Sequence, residues 1–265
     1  MRIVSLASGS KGNATLVEHG GEAILIDCGV CYKKLKDIEF SAVIVTHSHG
    51  DHVCGLKTLL KHRDVPVYAN MMTAEATVSE CEVPEDAFVC FENGQTFDIG
   101  PFSISPFSIP HDTSDPVGFL VSVDVDANPK TQTPANPNTQ TTHLTYFHGT
   151  DIGTPLDSIG LKLAEADVAT LESNHDPVML RTSGRHPSLI QRIAGPRGHL
   201  SNDQACELVR RFASPRLKRL ALGHLSRDCN APHLAENAMR ATLAEMARAD
   251  VELKILSQDE IIEIF

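Results

Sequence analysis

No stretch of the 265 residues stays apolar for anything near the roughly 20 residues that a bilayer-spanning helix requires. A membrane-embedded protein is therefore not expected. The first ten residues carry one Arg and a short apolar run that ends at Ser8-Gly9-Ser10, without the long hydrophobic segment of an export signal, so a cytoplasmic location is expected. A disulfide framework is missing too: the seven cysteines are odd in number and scattered, which fits a reducing compartment. Cys28-Gly29-Val30-Cys31 has no second CxxC to complete a structural zinc ribbon, and reads as small residues in a turn after a strand. Positive charge is scarce. The 23 Lys and Arg against 34 Asp and Glu leave a formal net charge of −11, which at first weighs against a phosphate-backbone partner. Segment 181–219 reverses that balance, with nine Arg and Lys against Asp203 and Glu207. It reads either as a basic face on an acidic body or as a solvated helix surface.

What is present is a mixed α/β pattern in a chain long enough for one substantial core. Short β-type runs occupy 3–6, 14–17, 23–26, 42–45, 66–68, 88–91, 102–109, 117–123, 144–147, 168–171, 217–222, 251–256 and 261–265. Helical patterns centre on Leu56 to Leu60, on 71–79, and on Ile159, Leu189, Leu208 and Met239. The helix after Ser201 is the sharpest: Ser201 and Gln204 have capping-box spacing, and Ala205, Leu208, Val209 and Phe212 form one stripe. Strands with interleaved helices, repeated once, suit two sheets face to face with helices outside. We expect a single domain over 1–265 in four layers, αββα. Segment 126–142, rich in Asn, Pro, Thr and Gln, cannot bury an apolar face and is expected to be a long hairpin connection.

The chemistry concentrates in Thr46-His47-Ser48-His49-Gly50-Asp51-His52, directly after the apolar run Ala42-Val43-Ile44-Val45. Imidazole nitrogen and carboxylate oxygen are preferred donors for zinc and similar divalent ions, and no hydrophobic core needs them at this density. A turn after a strand can aim His47 and His49 at one ion and Asp51 and His52 at another. Two ions need about six to eight protein ligands between them. His111 after 102–109, Asp151 in Gly149-Thr150-Asp151-Ile152-Gly153, and His224 after Leu220-Ala221-Leu222-Gly223 stand where further ligands are required.

With the HxHxDH array followed by a separate His, Asp and His in that order, the chain resembles the metallo-β-lactamase fold superfamily. Ser8-Gly9-Ser10-Lys11-Gly12-Asn13, Leu171-Glu172-Ser173-Asn174-His175-Asp176, Gly198-His199-Leu200-Ser201-Asn202 and His224-Leu225-Ser226-Arg227-Asp228 extend the resemblance to its nuclease-like YycJ/WalJ group. The resemblance implies an αββα sandwich with two divalent metals, zinc or manganese with iron not excluded, at one rim. His47, His49 and His111 would hold one, Asp51, His52 and His224 the other. Asp151 would bridge them, and Asp27 would brace the ligand loop from behind. Segment 126–142 looks longer than usual for the group, and Cys229 stands where a polar residue is expected.

The function implied is a metal-dependent phosphodiesterase, an exonuclease acting on DNA, with a hydroxide shared by the metals as nucleophile. Asp51, His199, His175 and Glu172 are candidate catalytic or site-lining groups. His199 is the better placed of the two histidines to protonate a leaving oxygen, and Glu172 to orient a ligand. Ser10, Lys11, Gly12 and Asn13 form either a phosphate-contacting loop or a plain turn. The alternative reading is hydrolysis of a small phosphodiester, thioester or lactone on the same fold.

Overall fold

The computed structural model describes residues 1–125 and 143–265, so the hairpin expectation for 126–142 falls outside the described residues. In chain order the first strands are β1 (Arg2–Ala7), β2 (Ala14–His19), β3 (Glu22–Ile26), β4 (Ala42–Ile44), β5 (Val67–Asn70) and β6 (Phe88–Phe91). They lie side by side in that order. A second sheet takes β7 (Phe97–Ile99), β8 (Phe102–Ser108), β9 (Val117–Asp124), β10 (His143–Gly149), β11 (Val168–Glu172), β12 (Arg219–Gly223) and β13 (Glu252–Ile255). The chain then returns to the first sheet, where β14 (Ile262–Glu263) pairs antiparallel with β1, so each sheet has seven strands.

The helices are α1 (Tyr32–Leu35), α2 (Gly50–Val53), α3 (Leu56–Leu60) and α4 (Met71–Cys81), then α5 (Asp157–Ala164), α6 (Pro177–Thr182), α7 (Pro187–Ile193), α8 (Asn202–Phe212) and α9 (Pro232–Glu245). Three apolar cores separate four layers. Ile24, Ile26, Ala42, Ile44, Phe102, Phe119 and Tyr146 meet between the sheets. Leu25 and Val43 point the other way, to Leu35, Leu56 and Leu59 of the first helical layer. Leu220 and Leu222 pack against Ile159, Leu208 and Met239 of the second. This is the αββα sandwich expected. It explains why β3, β4 and β12 read as unbroken apolar runs and not as alternating ones: both faces of these strands are covered. Each large side chain fully buried there stabilises the fold by roughly 1.5–3 kcal/mol.

α8 carries the expected capping box, Gln204 N donating to Ser201 Oγ at 3.2 Å and Ser201 N to Gln204 Oε1 at 2.9 Å. Ser201→Ala should therefore cost about 1 kcal/mol and lower Tm by roughly 2–4 °C in a thermal melt. An unchanged melt would mean that the helix start is held by other contacts. β7 was not expected. It has three residues, too few to display alternation, and is set by a turn at Gly100 (φ 53°) that folds it onto β8. Among the described residues, no helix is long and apolar enough to cross a membrane.

Parallel pairing decides where the chemistry goes. β3 and β4 run parallel, as do β10, β11 and β12, so within each set the carboxyl ends open at one edge. Asp27, Thr46, Asp151, Glu172 and His224 all stand at or just beyond such ends.

Candidate metal centre

The residues of the HxHxDH array leave β4 and enter the short α2, so that His47 and His52 are buried while Asp51 stays partly open. His47, His49 and His111 form one group of mutually adjacent donor atoms, and Asp51, His52 and His224 a second. Asp151 belongs to both neighbourhoods: it clusters with His47 and His52, and separately with Glu172, His199 and His224. His111 Nε2 is 3.7 Å and His224 Nδ1 3.4 Å from Asp151 Oδ1. On the other oxygen, His52 Nε2 is 3.3 Å from Asp151 Oδ2 but makes no hydrogen bond to it. All seven residues expected as ligands thus converge on one place.

Each buried imidazole is turned by a partner on its far nitrogen. His52 Nδ1 donates to Asp27 Oδ2 at 2.7 Å, His111 Nδ1 to the Gly198 carbonyl at 3.0 Å, and His224 Nδ1 to Glu172 Oε1 at 2.9 Å. His47 Nδ1 lies 3.0 Å from Thr46 Oγ1, which itself donates to both oxygens of Asp27. These bonds fix a proton on Nδ1 and turn Nε2 inward, where a metal ion would displace any second proton. His49 differs, presenting Nδ1 at 3.2 Å from His111 Nε2. Asp27 thus bonds His52 and Thr46 of the HxHxDH turn, and also receives the Thr46 amide at 2.8 Å. The role of Thr46 carries no sequence signal.

Three buried donor atoms of these groups, His47 Nε2, Asp151 Oδ2 and His224 Nε2, have no hydrogen-bond partner. Each orphan costs about 1–3 kcal/mol, a cost a cation between the groups removes. The electrostatics point the same way. Burial, then the neighbouring His52, hold His47 well below its usual range, keeping it neutral and ready to ligate. Burial opposes charge on His224, but Asp151, Asp51 and Glu172 outweigh it and push the ring up to about 10. Burial would likewise raise Asp151, yet His224 and His52 keep it well below the usual carboxylate range. A fully buried carboxylate kept ionised by neighbouring imidazolium rings is a place where a divalent ion can take over from those protons. The donor set suits a pair of divalent ions.

Backbone strain marks the same residues. Asp27, Asp151 and His224 adopt left-handed φ of 60°, 59° and 53°. Such conformations persist where the surroundings over-determine them, and they gather at functional sites.

Glu172 is fully buried behind the ligands and does not face solvent. Its Oε1 accepts from His199 Nδ1 and His224 Nδ1, each at 2.9 Å, and its Oε2 from the amides of Ile152 at 2.8 Å and Leu200 at 2.9 Å. It positions two histidines and two loops at once. Burial would raise its pKa, but His199 and His224 bring it down to about 2. His199 lies nearer the surface, its Nδ1 3.6 Å from Asp151 Oδ1. Burial disfavours its protonation, and Glu172 more than compensates, raising its pKa. His175 is buried with Nδ1 unpartnered and stands outside the four ligating groups.

The 8–13 turn is divided. Ser10 and Lys11 are exposed, whereas Gly12 and Asn13 are buried against the ligand loop. Asn13 Nδ2 lies 3.2 Å from Asp51 Oδ2 and 2.9 Å from His52 Nε2. A Cβ on Gly12, at φ 147°, would sit 2.2 Å from the Gly29 carbonyl, so the turn can approach only as glycine.

The basic segment 181–219 does not form one face. Arg210, Arg211, Arg216, Lys218 and Arg219 pair with Glu245, Asp157, Asp167, Asp250 and Glu252. Arg185 pairs with Asp228, and Arg192 with Asp112 beside His111. Arg197 reaches the ligand loop, donating from Nε to the His111 carbonyl at 2.9 Å. Paired surface charges of this kind are mutually neutralised, so the sequence total overstated the field.

A two-sheet sandwich with this His/Asp centre at its rim defines a metallo-hydrolase. The chain belongs to the β-lactamase superfamily, whose domain matches residues 23–224. It is similar to the exodeoxyribonuclease WalJ of Streptococcus pneumoniae, 29% identical over 93% of this chain and 88% of that one. It is also similar to the exodeoxyribonuclease YycJ of Bacillus anthracis, 30% identical over 91% and 88%. Ribonuclease J of Mycobacterium tuberculosis is 30% identical over 41% of this chain and 23% of its own. Among solved structures, Zn(2+)-bound PqqB of Methylobacterium extorquens superimposes with a TM-score of 0.68, at 15% identity and 99% coverage of both chains.

Proposed function

We propose that this protein is a metal-dependent phosphodiesterase of nucleic acid, an exonuclease acting on DNA, with two divalent ions, zinc or manganese with iron not excluded. The observation that carries this reading is the pair of ligand groups joined by Asp151, in a chain similar along most of its length to two exodeoxyribonucleases. His47, His49 and His111 would hold one ion, Asp51, His52 and His224 the other, and Asp151 both. When bound, such a pair supplies Lewis acidity and a water of lowered pKa. The chain's own groups do the rest. Glu172 fixes the His199 ring through Nδ1, leaving Nε2 to carry a proton to the departing sugar oxygen. Asn13 Nδ2 holds Asp51 in place through Oδ2. All seven cysteines are free, which fits a reducing compartment such as the cytoplasm.

Metal-reconstituted protein should shorten end-labelled DNA progressively from one end, and should act less on RNA. Cleavage of bis-p-nitrophenyl phosphate alone would replace this reading with hydrolysis of a small ester. RNA degraded in preference to DNA would replace the substrate. His199→Gln should lower kcat by about a hundredfold with metal content unchanged, measured by turnover beside elemental analysis. A variant that keeps its kcat removes His199 from the proton path.

A further inference from the structure

Beside the ligand His49 lies a cavity of about 420 Å³, walled by Ser48, Ala76 and Glu80 on one side and Asp112, Thr113, Ser114 and Arg197 on the other. That volume suits a small ligand or one nucleotide unit. Its charges are unequal in kind. Asp112 pairs through Oδ2 with Arg192, whose Nε sits 2.5 Å away, while its Oδ1 is buried without a hydrogen-bond partner. Glu80, on the last turn of α4, and Arg197 are both exposed, and only Arg197 is fixed by hydrogen bonds to backbone carbonyls. Arg197 has no carboxylate partner among the described residues, and it is the one basic residue of segment 181–219 that lines this cavity.

The guanidinium is held in place. Nε donates to the His111 carbonyl at 2.9 Å and an Nη to the Thr113 carbonyl at 3.4 Å, which leaves further N–H groups for a ligand. Its backbone is equally constrained: a Cβ on Gly153 would meet Arg197 Cα at 2.5 Å, so the 196–198 segment lies directly on the Asp151 loop. The hydroxyls of Ser48 and Thr113 meet at 3.1 Å. An uncompensated guanidinium with hydroxyls around it, next to a ligand histidine, is chemistry for a phosphate oxygen.

Resting on the nuclease reading, we infer that this cavity is a second phosphate subsite, in which Arg197 with Ser48 and Thr113 binds the phosphodiester next to the one cleaved. The subsite explains how an acidic protein holds an anionic strand: one fixed arginine beside the metal centre in place of a basic face.

The test uses the metal-loaded full chain and calorimetric titration with thymidine 3′,5′-bisphosphate and with thymidine 5′-monophosphate. The bisphosphate is expected to bind at least about tenfold more tightly. Arg197→Gln should remove that difference while leaving monophosphate affinity and metal content unchanged, and Arg197→Lys should restore part of it. Equal affinity of the native protein for the two nucleotides overturns the subsite, as does a full difference surviving in Arg197→Gln. Loss of metal in Arg197→Gln with equal weakening of both ligands also overturns it, by reducing Arg197 to a support for His111. Binding is read without turnover, so a protein that discriminates the nucleotides yet fails to shorten DNA refutes the nuclease reading and not the subsite.

Discussion

Asp151→Asn should abolish hydrolysis while leaving the sandwich folded. The substitution keeps the shape of the side chain and removes the charge shared by both ligand groups, where His224 and His111 stand 3.4 Å and 3.7 Å from Oδ1. Loss of a supporting residue around a metal costs about 10–100-fold in affinity, and a residue common to two ions costs more. Turnover of bis-p-nitrophenyl phosphate is expected to fall by more than about a thousandfold, because both the Lewis acid and the activated water depend on the pair. Elemental analysis after gel filtration should find no more than one ion per chain, with an unaltered circular dichroism spectrum. Native turnover in this variant would sink the two-ion centre. One retained ion with full activity would instead make the hydrolase mononuclear.

Glu172→Gln is expected to act on stability and metal together. The carboxylate accepts four hydrogen bonds, two on each oxygen, in a fully buried position. A glutamine amide supplies one acceptor oxygen and turns an N–H₂ group toward two donors. Those two donors lose their partners, at about 1–3 kcal/mol each, so Tm should fall by roughly 10 °C even in metal-free protein. His224, no longer held through Nδ1, should also weaken its metal by roughly 10–100-fold in a competition titration. A metal-free melt that does not move would show that the two histidines facing the amide are held by other contacts. The two readouts separate the fold from the ligand.

Much of this centre was legible beforehand because its residues are either consecutive or directly follow strands. His47, His49, Asp51 and His52 crowd one turn, and His111, Asp151 and His224 each come just after an apolar run; a parallel sheet carries such positions to a common edge. The capping box at Ser201 was legible for the same reason, being a contact between near neighbours in sequence. The basic segment was not. Five of its charges sit on α8 and on the approach to and start of β12, where carboxylates from remote segments neutralise them, and a count along the chain cannot see those partners. Glu172 could be noticed but not ranked. Its four donors come from positions 152, 199, 200 and 224, and nothing local announces that they meet.

By itself, then, the sequence determined which donors exist and the layer order that brings strand ends together, because ligand chemistry and hydrophobic periodicity are properties of residues and their near neighbours. The tertiary structure alone decided which nitrogen each histidine turns inward, which carboxylate stands behind them, and which arginines lack an ion-pair partner among the described residues. Those are set by single hydrogen bonds and ion pairs between segments up to 80 or more residues apart, such as Arg197 on the His111 carbonyl and Arg192 on Asp112. Directional bonds of this range form only once the sheets have packed.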